Sequence, residues 1–297
     1  MNKSQIFCTI STESHLYKCF ALAKSLEAFG GNLVILLVDK QIGQQKLPTN
    51  IRFIYLSDFQ ESVAQSIIKK YNAHTDKLRW SLKPVLLKYL LASYYKVIYV
   101  DNDIHFFGSF DFLFDMLGDS SILLTPHDYP RDPTKNQNWF EANFRVGLYN
   151  AGFVGVCKKA LPTLDWWGNA CLYRCEKNYW RGLFDDQKYL DLIPIIDENC
   201  HIVRHPGCNA SEWNASIRNR TYENGQHIIS GKYLLVFYHF NQYAINQLDT
   251  HDLLWQEYLA CLSNYQEDSN KLPKQKKQSF VDDLKLFIWK ILDKFNQ

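Results

Sequence analysis

The sequence predicts an α/β fold, a mostly parallel central sheet flanked by helices, with an amphipathic helix added at the C-terminus. Three observations carry this expectation. Apolar, strand-like runs alternate with segments of helical periodicity as far as Asp103, the pattern of βαβ units. Leu33-Val34-Ile35-Leu36-Leu37-Val38 is apolar throughout, as a parallel strand covered on both faces requires. Val97-Ile98-Tyr99-Val100 ends on Asp101-Asn102-Asp103, two carboxylates at the edge where open α/β sheets gather ligands.

Taken in order, Gln5 to Ile10 reads as the first strand. Ser11-Thr12-Glu13-Ser14 is its polar turn and the N-cap of a helix from about His15 to Phe29, with Leu16, Cys19, Phe20, Ala23 and Leu26 on its apolar face. Gly30-Gly31 ends that helix, and the strand at 33–38 follows. Ile51 to Leu56 is a third strand, then comes a helix from Phe59 to Tyr71. A further helix, with Pro84 tolerated in its first turn, runs to about Tyr95 and delivers the chain to the Asp101 strand. Ser121 to Thr125 is the next strand, and the Pro-, Asp- and Asn-rich excursion from Pro126 to Asn143 has the length of a functional loop. Tyr149 to Val156 is a strand whose glycines let a ligand approach the backbone. A helical stretch to Tyr179, a short helix opening at Asp185 and a late strand from Leu234 to Tyr238, ending at His239, complete this part.

A domain is expected over 1–266, since 297 residues with 46% hydrophobic and 15% aromatic content can bury a large core. The appendage, 267–297, opens with a polar, basic linker from Glu267 to Lys277. Beyond it, Phe280, Leu284, Phe287, Ile288, Ile291 and Phe295 share one helical face, with Trp289 and several lysines around them. Such a helix suits an anionic membrane surface, through residues 274–296, or docking on its own domain. A net charge of +2 gives no global field for nucleic acid, so no nucleic-acid partner is expected. The short apolar N-terminus is not a signal peptide and no stretch has the length of a membrane span. A cytoplasmic location is therefore expected, peripheral on the inner face of the cytoplasmic membrane if the last helix binds lipid. The eight cysteines read as buried thiols. Cys200 and Cys208 flank His201 and His205, a conceivable zinc set without a Cys-x-x-Cys pair.

Asp101 and Asp103, at i and i+2 of an extended chain, project to one side, so both can face one cation. A hard divalent ion, Mn²⁺ or Mg²⁺, with phosphate oxygens as further ligands, would neutralise the pair. By itself the triplet equally suits a solvated loop after a strand.

The order of these segments resembles the retaining glycosyltransferases of GT-A fold, most closely the family-8 type that includes bacterial lipopolysaccharide galactosyltransferases and glycogenin. The resemblance rests on Phe7-Cys8-Thr9-Ile10-Ser11-Thr12 with its helix, Leu82-Lys83-Pro84, Asp101-Asn102-Asp103, Asn150-Ala151-Gly152, Asp186-Gln187 and His239. It implies Mn²⁺ ligation by Asp101, Asp103 and His239, nucleotide contacts by Thr9, Ser11 and Thr12, a ribose contact by Asn102, and a Lys83 that faces the donor. Asn150, Ala151 and Gly152 would approach the donor sugar, with Asp186 and Gln187 beside its anomeric carbon. Retention then follows one of two routes. Either a carboxylate, here Asp186, forms a covalent intermediate, or the acceptor attacks from the face the diphosphate leaves while Gln187 stabilises the developing positive charge. Without the resemblance, His239 equally suits a satisfied core histidine, Lys83 a solvated helix lysine, and Asp185 and Asp186 plain acids at a helix start.

Family members often follow the late histidine with a Gly and a Lys that grips the diphosphate. Here Phe240-Asn241-Gln242-Tyr243-Ala244 stands there, leaving Arg204, Arg218, Arg220 or Lys232 to supply the charge. The function implied is metal-dependent transfer of a hexose from a nucleotide-diphosphate sugar, a UDP-sugar, to a glycan or lipid-linked oligosaccharide in lipopolysaccharide or other envelope polysaccharide biosynthesis. A phosphatase-like hydrolase would carry its Asp-x-Asp on the first strand, and a nucleotidyltransferase would want glycine in the Thr9 to Ser14 turn. A catalytically degenerate fold that only binds a sugar nucleotide or glycan is the remaining alternative, opposed by the complete set of Asp101, Asp103, His239 and Gln187.

Overall fold

The computed structural model describes residues 4–42, 48–266 and 268–275, and the helix expected over 280–295 lies outside them. The strands are β1 (Gln5–Ser11), β2 (Leu33–Leu37), β3 (Ile51–Tyr55), β4 (Lys96–Val100), β5 (Ile104–Phe106), β6 (Ile122–Pro126), β7 (Tyr149–Cys157), β8 (Lys177–Asn178), β9 (Leu183–Phe184), β10 (Cys200–Ile202), β11 (Arg220–Glu223), β12 (Gln226–Ile229), β13 (Tyr233–Leu234) and β14 (Phe237–His239). The α-helices are α1 (Leu16–Glu27), α2 (Ser62–Tyr71), α3 (Thr75–Ser81), α4 (Lys83–Leu91), α5 (Asp111–Asp119), α6 (Gln137–Arg145), α7 (Leu161–Tyr173), α8 (Ile193–Ile196), α9 (Gln242–Gln247) and α10 (Leu253–Ser263).

Seven strands form the central sheet in the order β10-β6-β7-β4-β1-β2-β3. Every neighbouring pair is parallel except those of β7, which runs against both β4 and β6. Helices cover both faces, and the pleat of β1 sends alternate residues to the two layers. Ile6, Cys8 and Ile10 join the cores of α2, α3, α4 and α7, whereas Phe7 meets α1 and α5. Phe110 and Phe114 pack edge-on to the Phe7 ring at 4.7 and 5.1 Å, and burying such a ring is worth roughly 1.5–3 kcal/mol. The other face of α1 packs on α9 and α10 through Tyr17, Ala21, Leu254 and Tyr258. Part of the basic linker returns to this layer, since the Tyr17 hydroxyl donates to the Lys271 carbonyl and the Gln242 amide to that of Lys274, each at 3.1 Å.

Where the fold departs from the sequence expectation, tertiary contacts decide. α3 forms where no helix is expected, because Leu78 and the adjoining Leu82 reach the core. α6 forms inside the 126–143 excursion, capped by Asn136, whose side chain accepts from the Trp139 N–H at 3.1 Å, and pinned by Ala142 against Tyr129 and Trp213. The helix expected to reach Tyr179 stops at Tyr173, and β8 and β9 make a small hairpin turned through Gly182 at φ +65°. Asp185 opens a 3-10 turn over Gln187–Leu192 rather than an α-helix. The late strand from Leu234 to Tyr238 is two strands, β13 pairing with β12 and β14 with β5, and Leu235-Val236 carries the chain between the two sheets. All eight cysteines are free thiols. No helix among the described residues is long and apolar enough to cross a membrane.

Candidate active site

Two strand pairings build the site. The reversed β7 begins beside the end of β4, so that the Asp101 N–H donates to the Gly152 carbonyl at 2.9 Å. β14 lies antiparallel to β5 with His239 opposite Ile104, and the Phe240 N–H reaches the Asp103 carbonyl at 2.8 Å. Ligand atoms of Asp101, Asp103 and His239 consequently lie within 4.8 Å of one another, the one such cluster of His, Cys, Asp and Glu among the described residues. Cys200, His201, His205 and Cys208 form none.

The cluster has the chemistry of a cation site. Burial by itself would raise the Asp103 carboxyl, but the neighbouring His239 imidazole holds it below the usual carboxylate range. Burial likewise works against charge on His239, and Asp103 overcomes it and raises the ring. Asp103 Oδ1 lies 3.0 Å from His239 Nε2, yet it is buried with no hydrogen bond of good geometry. Two carboxylates and an imidazole, with an under-used buried oxygen, fit Mn²⁺ or Mg²⁺.

A second layer of contacts fixes these side chains. The Asn150 amide nitrogen lies 3.1 Å from His239 Nδ1 and donates to Asn209 Oδ1 at 2.9 Å, while Asn150 Oδ1 accepts the Gly152 N–H at 2.8 Å. Asn209, at φ +58°, donates in turn to the Pro126 carbonyl at 3.0 Å. The Trp213 ring stands edge-on to His239 at 5.3 Å. A Cβ on Gly152 would sit 2.7 Å from His239 Cε1 and 3.0 Å from Asp101 Oδ2, so only glycine fits there. Asn209 and Trp213 belong to the segment Arg204-His205-Pro206-Gly207-Cys208-Asn209 with Trp213, which the sequence suits either to a donor or acceptor wall or to ordinary surface. The one available signal for Asn209 is its tolerance, as asparagine, of a left-handed turn after Gly207-Cys208.

Lys83 is not a solvated lysine. Its side chain is 5% exposed, with Nζ 3.2 Å from Asp186, 3.5 Å from Asp101 and 3.0 Å from the Ala151 carbonyl. Burial opposes its charge, but Asp101, Asp186 and Asp185 outweigh burial and keep it protonated. Lys83, with the more exposed Lys177 at 3.6 Å from Asp185, then faces three carboxylates, and the surplus falls on Asp186. Burial, helped by Asp185 and Asp101, pushes Asp186 up to about 8 despite the pull of Lys83. Neither Asp185 nor Asp186 is a plain helix-start acid. Asp185 sits at φ +43°, a strained position for a side-chain-bearing residue, and accepts the Gln187 N–H at 3.1 Å. Gln187 is held at both ends, its oxygen accepting from the Ala151 N–H at 3.2 Å and its nitrogen donating to the Val146 carbonyl at 3.3 Å.

The chain is 27% identical over 247 residues to the uncharacterized protein YfnF of Bacillus subtilis (strain 168), an overlap of 80% of this chain and 82% of that protein. Over 261 residues it is 25% identical to YfnD of the same strain, 84% of this chain and 81% of YfnD. No family model matches the chain. Among solved structures, that of the galactosyltransferase LgtC in complex with donor and acceptor sugar analogues is similar at TM-score 0.54 and 16% identity, over 90% of this chain and 100% of LgtC. The bifunctional glycosyltransferase WbbM is similar at TM-score 0.52 and 10% identity, over 91% of this chain and 51% of WbbM. The fold is GT-A. In this GT-A chain the aspartate pair sits at the carboxyl edge of β4, beside the carboxyl end of β1.

That end of β1 carries the residues expected at the nucleotide, and the structure places them at different depths. Thr9 is fully buried, with a hydroxyl that has no partner. Ser11 is also fully buried, donating to the Thr12 carbonyl at 3.1 Å and accepting from the half-buried Asn102 amide at 3.1 Å. Thr12 Oγ1 lies 2.9 Å from His15 Nδ1. None of the four cations proposed to replace the missing lysine touches the cluster. Arg218 is paired with Asp128 and Arg220 with Asp252, Lys232 lies over the Tyr233 ring, and Arg204 has no ion pair among the described residues. Besides His239 and Lys83, positive field reaches Asp103 from Lys18 on α1 and Asp101 from Arg79 on α3, which pairs with Asp76 through Nη2 while its Nε is buried without a partner.

Proposed function

We propose that this chain is a metal-dependent glycosyltransferase that moves a hexose from a nucleotide-diphosphate sugar, UDP-linked, to a hydroxyl of a glycan or glycolipid with retention. The observation that carries this reading is the Asp101, Asp103 and His239 cluster set against the buried Lys83, Asp186 and Gln187 at one edge of a GT-A sheet. A divalent ion held by those three ligands would offset the charge on the departing diphosphate. Lys83 is the protein's own fixed cation beside it, and being buried it needs no reorganisation when negative charge grows. Lys18 and Arg79 add positive field at the aspartate pair.

Of the two routes to retention, the same-face route has more support. Asp186 is 1% exposed and already engaged with Lys83, so it acts as the carboxylate that orients that lysine. Gln187 Oε1, steadied by the Ala151 N–H, has a lone pair left for charge developing at the anomeric carbon. The basic segment from residue 274 supports a lipid-linked acceptor and a place at the inner membrane surface, in synthesis of an envelope glycan. Removal of residues 276–297 is then expected to lower activity on lipid acceptors.

The test is a nucleotide-release assay on UDP-, GDP-, dTDP- and CMP-hexoses with and without Mn²⁺. Mn²⁺-dependent release from one nucleotide class, absent in Asp103→Ala, is the expected result. No release from any donor would move the reading to a sugar-nucleotide binding protein.

A further inference from the structure

Away from the metal cluster, a cavity of about 320 Å³ is lined by Asp128, Arg131, Arg204, Pro206, Ile217 and Arg218, among others. A smaller hollow of about 170 Å³ shares Asp128, Arg131 and Arg204 with it and adds Pro126, Leu148 and Tyr149. Three guanidiniums face a single carboxylate. Arg218 is 5% exposed and fully committed, donating through Nε to Asp128 at 3.1 Å, through Nη1 to the Pro206 carbonyl at 3.2 Å, and to the Cys208 carbonyl. It is a fixed wall of positive charge. Arg131 closes on Asp128 from solvent at 2.9 Å. Asp128 is held between them at φ +51°, a conformation that costs a side-chain-bearing residue energy and marks an over-determined position. Arg204 is exposed, lines this cavity, and makes no hydrogen bond or ion pair among the described residues.

The cavity is tied to the metal cluster through the residues that follow β6. His127 stands between Pro126 and Asp128, and its carbonyl accepts from the Trp213 indole at 2.9 Å, the ring that stands edge-on to His239. The Pro126 carbonyl accepts from Asn209, which holds Asn150 and through it His239. We propose that this cavity takes an oxyanion group, a phosphate or carboxylate, carried by the acceptor. The word acceptor rests on the glycosyltransferase reading above, while the anion site rests on the cavity alone. Planar guanidiniums present paired N–H donors that match such oxygens, and the excess positive charge here has no internal partner. A neutral sugar would leave the arginines facing one another across the cavity.

Isothermal titration of inorganic phosphate, glucose 6-phosphate, glucuronate and glucose tests this, on the unsubstituted chain and on Arg204→Gln and Arg131→Gln. Both arginines are exposed, so these variants keep the fold that Arg218→Gln would endanger. The expected result is binding of the charged ligands and not of glucose, glucose 6-phosphate tighter than phosphate, and a loss on the order of tenfold in each variant. Anion binding that is absent, or undiminished in both variants, would overturn the site. Phosphate binding as tightly as glucose 6-phosphate would overturn the acceptor assignment. Donor turnover by the unsubstituted chain is measured alongside. Its absence would sink the glycosyltransferase reading and the acceptor assignment with it, while phosphate binding that depends on Arg204 would still support the anion site.

Discussion

Lys83 and Lys88 leave the same helix, α4, and each bridges two carboxylates from other parts of the chain. Lys88 reaches Glu61 at 2.6 Å and Asp165 at 2.5 Å, closer than Lys83 comes to Asp186 and Asp101. By distance alone Lys88 is the better ion pair. But Lys88 and its partners are 29–49% exposed, and water and salt screen them. Lys83 and Asp186 are 5% and 1% exposed, where burial works against both charges and water cannot screen them. Burial, more than geometry, separates a pair that decorates the surface from one that organises a site.

The comparison can be broken most forcefully at Lys83. Lys83→Ala leaves Asp101 and Asp186 without the buried cation between them, and an expected loss of about 3–5 kcal/mol should appear in urea unfolding. A loss as small as that of a surface lysine would mean that Asp186 takes up a proton at little cost and that Lys83 is dispensable. Next in size is Gly152→Ala, which pushes a methyl into His239 and Asp101 without touching Lys83. Mn²⁺ affinity, read by electron paramagnetic resonance, should fall by up to about 100-fold. Unchanged affinity would show that those two residues do not act together on a metal.

Two buried histidines sharpen the same point in a group that stays neutral. Burial pushes His105 down to about 4 and His127 to about 3 from an ordinary 6.5. The unfolded chain binds protons that the folded chain refuses, so this stability is complete above pH 6.5 and drains away as pH falls toward those values. The slope is about 1.4 kcal/mol per pH unit for each ring, and His105→Phe should flatten the acid limb of a stability-versus-pH curve. Smallest of all is Lys88→Ala, expected to cost no more than about 1 kcal/mol and less in high salt.

Much of this architecture is legible in the sequence, for a physical reason. The first half of the sheet is covered on both faces, and continuous apolar runs such as Leu33–Leu37 can hardly be anything else. Asp101 and Asp103 are legible because a strand ends on them. Lys83 is legible as a position and not as a state, since a lysine beside a proline at a helix start looks solvated until the chain folds Asp186 over it. Asn209 is hidden because its work depends on a left-handed turn and on partners far along the chain. The late strand reads as one element because five apolar residues carry no mark of the change of partner from β12 to β5. Lys18 and Arg79 lie on helices whose approach to the aspartates is wholly tertiary.

The central claim is that Asp101, Asp103 and His239 hold a divalent ion where a donor diphosphate can share it. The most direct test is a Mn²⁺ titration followed by electron paramagnetic resonance, on the unsubstituted chain and on Asp103→Asn, with and without UDP. The account predicts Mn²⁺ binding that UDP tightens and that Asp103→Asn abolishes. Equal Mn²⁺ affinity in the two proteins, indifferent to UDP, would contradict it.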